Sequence, residues 1–323
     1  YNSARAQRPH DNASISEEEE GSSASNCPVC QGKTTSIIDL AEQSEGCTFI
    51  NKNLFPILFP PDRIEPEWLE HTLYPDPTHT GRETYGLHYL QWTSSIHYRD
   101  WHNLGHDDRV IALKRLAALE KRLLFGSAEL MPSSSKWQRI QRTNGYVSII
   151  KNYGAPVGGS LAHGHQQIAF SNIMPRHFYN DQCFYQRHHK TFAQYMLDEN
   201  PEALMVKDYG DIVVFVPYFM RRPYNMIAAC KDTEKQFLCE LCEVELKQLA
   251  DVLHDSISAI LDIMRSLGKE PAYNVTVNNV PGGTLYLEFL PYTQAMGGFE
   301  QLGLWSCQNT PGNAAASLQE VFH

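Results

Sequence analysis

No run of apolar residues in this chain approaches the ~18 that a membrane span requires, and no basic-then-apolar segment of the secretory kind opens it. These absences predict a soluble, cytosolic (cytoplasmic) protein; the chain begins at Tyr1 rather than Met, so a preceding segment stays open. Positive charge is also in deficit, 27 Lys and Arg standing against 37 Asp and Glu for a net charge of −10. A surface of that sign repels a polynucleotide backbone and excludes nucleic acid as the expected partner. A small anionic substrate needs only a few local donors and is not excluded. Nor is this a disulfide-dense scaffold: its 8 Cys are spread over 323 residues, two of them in the tight pair Cys27-Pro28-Val29-Cys30. Reduced thiols with one metal site fit that distribution better.

What is present is ordinary for a globular enzyme, with 42% hydrophobic and 20% charged residues. The length suffices for two cores. Residues 1–26 read as a polar arm or linker, with the acidic run Glu17 to Glu20 flanked by Ser and Gly. Strands are predicted from Cys47 and over Tyr85 to Thr93. Val110, Leu113, Leu116, Leu119 and Leu123 then place one apolar stripe on a helix from about Asp107 to Leu124, capped by Asp107 or Asp108. Tyr146 to Lys151 is a strand leading into the Gly-rich segment Gly154 to Ser160. The second half repeats this grammar: strands at Ile212 to Tyr218 and Tyr224 to Ala229, a helix over Thr233 to Leu267, and strands at Tyr273 to Asn278 and Leu285 to Pro291. The division predicted is a catalytic half over 27–200 and a degenerate copy over 201–323.

The segment that carries chemistry runs from Ser160 through His163-Gly164-His165-Gln166-Gln167 to Phe170. On a strand, His163, His165 and Gln167 would share one face at about 6.6 Å spacing. Neutral imidazole attacks phosphorus readily near neutral pH, and a backbone carbonyl on its second nitrogen fixes the tautomer. Gln167 offers an amide to a nonbridging oxygen without adding charge. The Gly158-Gly159-Ser160 turn would bring backbone N–H groups close to phosphate. A bare HxH pair is more often a metal site or two unrelated histidines, so the context decides.

That context, Asn152-Tyr153-Gly154-Ala155 through Gly159-Ser160 and then HxHxQ, resembles the active-site segment of the galactose-1-phosphate uridylyltransferases of the histidine-triad (HIT) superfamily and relatives such as ADP-glucose phosphorylase. The resemblance implies an α+β, HIT-like fold of two related halves, each an antiparallel sheet packed by helices. It makes His165 the nucleophile, with Ser160 and Gln167 on the phosphates and Asn152, Gly158 and Gly159 against the substrate. It assigns one structural Zn2+ to Cys27, Cys30, His163 and a fourth ligand, His97 in the Ser94-Ser95-Ile96-His97 segment, with His102 and His106 as alternatives. Cys239 and Cys242, at helical spacing, read as packing. Arg5 and Arg8 match the family's R-A-x-R-P element on the sugar phosphate, in part from a neighbouring subunit, which implies a homodimer. Asn53, in Asn53-Leu54-Phe55-Pro56, matches an element beside the base, and Glu300 a sugar-binding tail. Gly164 replaces the usual Pro, which leaves the chemistry intact but weakens the match to the family's sugar; Leu54 replaces a common Asp, which points toward the adenylyl-transferring relatives. The family's second metal site has no imidazole in Tyr286-Leu287-Glu288.

The expectation is therefore a nucleotidyltransferase that moves a nucleoside monophosphate between a nucleotide sugar and a sugar 1-phosphate through a covalent nucleotidyl-histidine. One alternative is a phosphorylase of ADP-sugars or dinucleoside polyphosphates, with inorganic phosphate as acceptor. Another, from a different class, is a non-catalytic, zinc-stabilised nucleotide-binding protein.

Overall fold

The apolar alternation after residue 36 becomes strands in a computed structural model of the chain, which describes residues 24–34, 36–58, 86–126, 145–171 and 173–322. In chain order the strands are β1 (Ile37–Glu42), β2 (Cys47–Lys52), β3 (Leu87–Trp92), β4 (Tyr146–Tyr153), β5 (His165–Ser171), β6 (Met205–Asp208), β7 (Ile212–Phe215), β8 (Met226–Cys230), β9 (Tyr273–Asn278) and β10 (Tyr286–Pro291). They join in one sheet of order β1-β2-β3-β5-β4-β9-β10-β8-β7-β6. Every neighbouring pair is antiparallel. The second five strands repeat the first five in reverse order, so the fold is α+β with two related halves that meet at the β4–β9 pair. The halves share one continuous sheet rather than owning one each, because β4 and β9 pair from Ile149 with Val277 to Tyr153 with Tyr273.

The turn before each inner strand repeats as well. Gly158-Gly159-Ser160-Leu161 precedes β5 and Gly282-Gly283-Thr284-Leu285 precedes β10. Gly158 and Gly282 both have left-handed backbone, φ 85° and 78°, which L side chains rarely adopt. Ser160 and Thr284 are both buried.

Two long helices, α1 (His106–Phe125) and α4 (Glu243–Ser266), cover one sheet face. The predicted stripe on α1 is buried at Val110, Leu113, Leu116, Leu119 and Leu123 and meets Ile168 and Phe170 of β5. Each such side chain contributes about 1.5–3 kcal/mol relative to exposure.

Two helix starts differ from expectation. Gly105, not an aspartate, is the residue before α1, and Asp108 instead accepts hydrogen bonds from the N–H and hydroxyl of Ser44. The second long helix begins at Glu243, with residues 233–242 forming an extended stretch and a short turn, because Glu245 reaches back to the Cys242 N–H and caps the start there. Cys239 and Cys242 thus lie before the helix rather than on its face.

The opposite sheet face is treated differently in the two halves. In the second half α3 (Phe192–Glu199), which follows α2 (Arg176–His188), covers it over β7 and β8, Ala193 and Met196 packing on Val213, Phe215, Ile227, Ala229 and Tyr286. In the first half no helix among the described residues covers the same face above β2, β3 and β5, and there the histidine lies.

Candidate active site and metal cluster

Strand pairing sets the pocket. Trp92 of β3 stands across from His165 of β5, and Leu90 across from Gln167; Asn51 of β2 stands across from Leu90. Side chains two apart share a face, so these groups line one cavity of about 320 Å³, with Ser160 and Leu161 at one edge and Pro28, Val29, Lys33 and Thr34 along another.

The strand itself begins at His165, two residues later than the sequence pattern implies. His163 sits in the bend before it and turns away from the cavity. The side-chain separation of the two histidines therefore comes from a bend and not from strand alternation.

His165 is 4% exposed, and its ring centroid lies 4.9 Å from that of Trp92. Its Nδ1–H donates to the His163 carbonyl at 2.8 Å, which leaves the lone pair on Nε2. No described residue hydrogen-bonds Nε2. Burial pushes the imidazole down to about 4, against the His163 hydrogen bond that raises it, so the ring is uncharged at neutral pH. Gln167 and Ser160, 7% and 6% exposed, line the same cavity.

Behind this strand, on the helix side, lies a buried polar network that sequence reading missed. Lys151 Nζ donates to Asp100 Oδ2 at 2.6 Å and reaches the His165 carbonyl at 3.4 Å. Asp100 also accepts from the Thr93 hydroxyl and the Trp101 N–H. Burial alone would raise the Asp100 carboxyl, but Lys151, His102 and the hydrogen bonds from Lys151 and the Trp101 N–H hold it below its ordinary value. Gln166 is fixed by Trp101 and Gln91. The partners are 51 residues apart, and no local pattern announces them.

The same pair explains the glycine at 164. A Cβ there would stand 2.6 Å from Asp100 Cγ, closer than real contacts allow, and a proline ring would meet the same carboxylate. Gly164→Ala is expected to cost about 1–3 kcal/mol of stability, read as a lower thermal midpoint; an unchanged midpoint would show that Asp100 yields freely.

Cys27, Cys30, His97 and His163 converge so that one ligand atom from each lies within 4.8 Å of every other. His163 Nδ1 is 3.6 Å from each thiol sulfur, and His97 Nδ1 is 3.5 Å from that of Cys30. Tetrahedral bonds of about 2.3 Å to sulfur and about 2.0–2.1 Å to nitrogen put ligand atoms about 3.6 Å apart, so the donor set has the dimensions of a closed metal site. His163 Nε2 donates to the Ser94 carbonyl at 2.8 Å, which aims Nδ1 at the cluster. Burial, then the neighbouring Cys27, pushes the Cys30 thiol up to about 11, a repulsion that a bound cation removes. His102 and His106 lie outside the cluster: His106 faces Asp107 and Asp251, and His102 is held in the neutral direction by burial. The cluster takes in both ends of the Cys27–Cys30 turn, whose Pro28 and Val29 wall the His165 pocket.

The remaining predicted positions scatter. Asn53 lines the pocket, but its Oδ1 accepts from the Phe55 N–H and its Nδ2 faces His88, so its amide shapes the wall. The Gly158 and Gly159 N–H groups donate to Ala155 and Gly154 and close their own turn instead of standing open to phosphate. A Cβ on Gly159 would meet Gly154 at 2.7 Å. Asn152 accepts from Asn274 across the β4–β9 pair, and Glu300 accepts from Gly297 and Ser306 N–H groups in its own turn; neither lines the cavity. Arg5 and Arg8 lie outside the described residues. Among those described, Lys33 is the one cationic side chain lining the pocket; a single Lys in a polar turn carries no sequence signal.

No protein-family model matches the chain. A curated relative, ADP-glucose phosphorylase of Arabidopsis thaliana, is 23% identical over 357 residues, spanning 99% of this chain and 89% of that protein. Among solved structures, an ADP-glucose phosphorylase from Arabidopsis thaliana with bound ADP-glucose superposes with a TM-score of 0.70 at 17% identity, covering 98% of this chain and 94% of that one. A uridylyltransferase superposes with a TM-score of 0.66 at 18% identity, covering 85% and 84%. In fold, the chain stands with the uridylyltransferases and ADP-glucose phosphorylase, the proteins its histidine segment resembles.

Proposed function

We propose that the chain is a nucleotidyltransferase working through a covalent nucleotidyl-histidine at His165. The observation that carries this is the His165 ring itself, with Nδ1 tied to the His163 carbonyl and Nε2 without a hydrogen-bond partner among the described residues, in a cavity with Gln167 and Ser160. In the first step Nε2 bonds to the α-phosphorus of a nucleotide sugar, and the P–O bond to the sugar 1-phosphate breaks with its electron pair leaving on that phosphate. The phosphorylated ring is cationic, and its Nδ1–H donates more strongly to the His163 carbonyl. Gln167, Ser160 and Lys33 are the side chains positioned to meet the nonbridging oxygens. In the second step a phosphate oxygen of the acceptor attacks phosphorus and His165 leaves.

The acceptor in the first reading is a sugar 1-phosphate. A second reading, inorganic phosphate with an ADP-sugar donor, is favoured by the curated relative and by Leu54, an apolar, 60% exposed residue on the pocket wall where uridylyltransferases carry an acid. Isotope exchange tests the mechanism: labelled glucose 1-phosphate should enter UDP-glucose or ADP-glucose with no second acceptor present. Absence of exchange with both donors would exclude a covalent relay for these substrates, and the donor that exchanges identifies the base.

Zinc is the ion we assign to the Cys₂His₂ cluster. All four positions would be protein ligands, so the ion would supply a cross-link between the Cys27–Cys30 turn and the catalytic segment and would not activate water. Cys30→Ser is expected to abolish one equivalent of bound zinc by elemental analysis and to lower nucleotidyl transfer, since Pro28, Val29 and Lys33 lose their anchor. Full metal content in this variant would show that the cluster is not the site. A homodimer and a cytosolic location belong to the same reading; light scattering on the eluting protein tests the first. No helix among the described residues is long and apolar enough to cross a membrane.

A further inference from the structure

Beside the His165 pocket, the same sheet face carries a second cavity of about 320 Å³ over β4, β9 and β10. Its floor includes Asn278 of β9 and Glu288 of β10, and its walls include Arg221, Arg222, Phe178 and Trp305. The charges around it do not balance. Arg221 donates to Glu288 at 2.5 Å and lies 5.6 Å from the Trp305 ring, so that carboxylate is matched by one guanidinium. Arg222 has no such partner among the described residues.

Three buried donors on residues that line this cavity lack an acceptor among the described residues: Arg221 Nε, Arg222 Nη1 and Asn278 Nδ2. Asn278 is only 3% exposed. An unsatisfied buried donor costs about 1–3 kcal/mol, and native structures leave few of them. Burial, then the neighbouring Arg221, also holds the Arg222 guanidinium below its ordinary value, a repulsion that an anion between the two would relieve. The unpaired groups are all donors, and of the side chains lining the cavity two guanidiniums face one carboxylate, with Asp181 set behind Arg221 and Glu288. The complement is an anion with several acceptor oxygens, which guanidinium forks recognise in phosphate. Phe178 and the Trp305 ring, 40% exposed, offer an apolar wall for the face of a sugar ring.

We propose that this cavity is a second anion site, separate from the His165 pocket, which takes the phosphate monoester of a small ring compound such as a sugar phosphate. It stands independently of the chemistry assigned to His165. The site was not visible in sequence because Arg221, Asn278 and Trp305 come from three separate segments.

Fluorine NMR on protein carrying 5-fluorotryptophan tests it, with the Trp305 resonance assigned by Trp305→Phe and with inorganic phosphate and glucose 1-phosphate as the two probes. The Trp305 resonance should shift and saturate with glucose 1-phosphate, both in the wild-type protein and in His165→Gly. In Arg222→Met the same shift should need at least about tenfold more probe. Inorganic phosphate should bind through the same arginines, and its shift should be lost in the same variant. A Trp305 resonance that stays still in the wild-type protein would overturn the proposal, as would equal affinity in Arg222→Met, which would mean that water alone satisfies these donors. Should Arg222→Met not fold, Arg222→Lys, which keeps the charge without the fork, must still weaken binding; undiminished binding there contradicts the proposal.

Discussion

Replacing His165 by glycine is expected to lower nucleotidyl transfer by about 10⁴-fold or more, the scale on which enzymes lose activity with their nucleophile. The fold should survive. The imidazole borders an existing cavity rather than closed core, and its removal gives up one hydrogen bond to the His163 carbonyl and the contact with Trp92, together about 1–3 kcal/mol. Metal content should be unchanged, because the cluster uses His163 and not His165. That combination separates the two histidines experimentally: His163→Ala should lose the ion, and His165→Gly should keep it. Steady-state rates beside elemental analysis give both readouts, and a His165→Gly protein with near-native turnover would remove the nucleophile from this account.

The second large effect is expected on stability. Lys151 and Asp100 are 4% and 3% exposed and form an ion pair at 2.6 Å. Lys151→Met would leave the Asp100 carboxylate buried without its counter-charge, and breaking such a pair from one side costs about 3–5 kcal/mol. The double variant Asp100→Asn with Lys151→Met should recover much of that loss, since no lone charge then remains. Denaturant unfolding of the two single variants and the double variant measures the coupling; additive losses would mean that the two side chains act separately. The pH dependence follows in sign. The Asp100 carboxyl titrates below its ordinary value in the folded chain, so its contribution is complete above the unfolded value of about 3.9 and is lost as pH falls through the folded one. The pair also underlies Gly164 and touches the His165 carbonyl, so Lys151→Met should slow transfer as well as weaken the fold.

Sequence legibility followed the range of the interaction. The strand and helix faces repeat every two or three to four residues, and the Ile212, Tyr273 and Leu285 strands and the α1 stripe were readable for that reason. The His165 segment was readable because its chemistry is concentrated in a few adjacent residues, and the Cys27–Cys30 spacing because one turn brings both thiols together. Where three histidines competed for the fourth ligand position, only the path of the chain between Ser94 and Asp100 could decide, and it brings His97 to Cys30. The Asp100–Lys151 pair, the covering of one sheet face by α3 in the second half alone among the described helices, and the convergence on Arg222 all depend on residues distant in sequence. Glycines misled in a different way: Gly158 and Gly159 serve the conformation and closure of their own turn, a use that looks the same in sequence as a phosphate cradle. The start of α4 was missed because Glu245 caps at Cys242, a residue seldom read as a cap.

Intact-protein mass spectrometry after brief incubation with UDP-glucose or ADP-glucose, acceptor withheld, tests the central claim most directly. One of the two donors should add a single uridylyl or adenylyl group, acid-labile and localised to the peptide containing position 165, and the group should disappear when glucose 1-phosphate or inorganic phosphate is supplied. An unmodified chain that nevertheless turns over either donor, or a modified residue other than His165, would contradict the account.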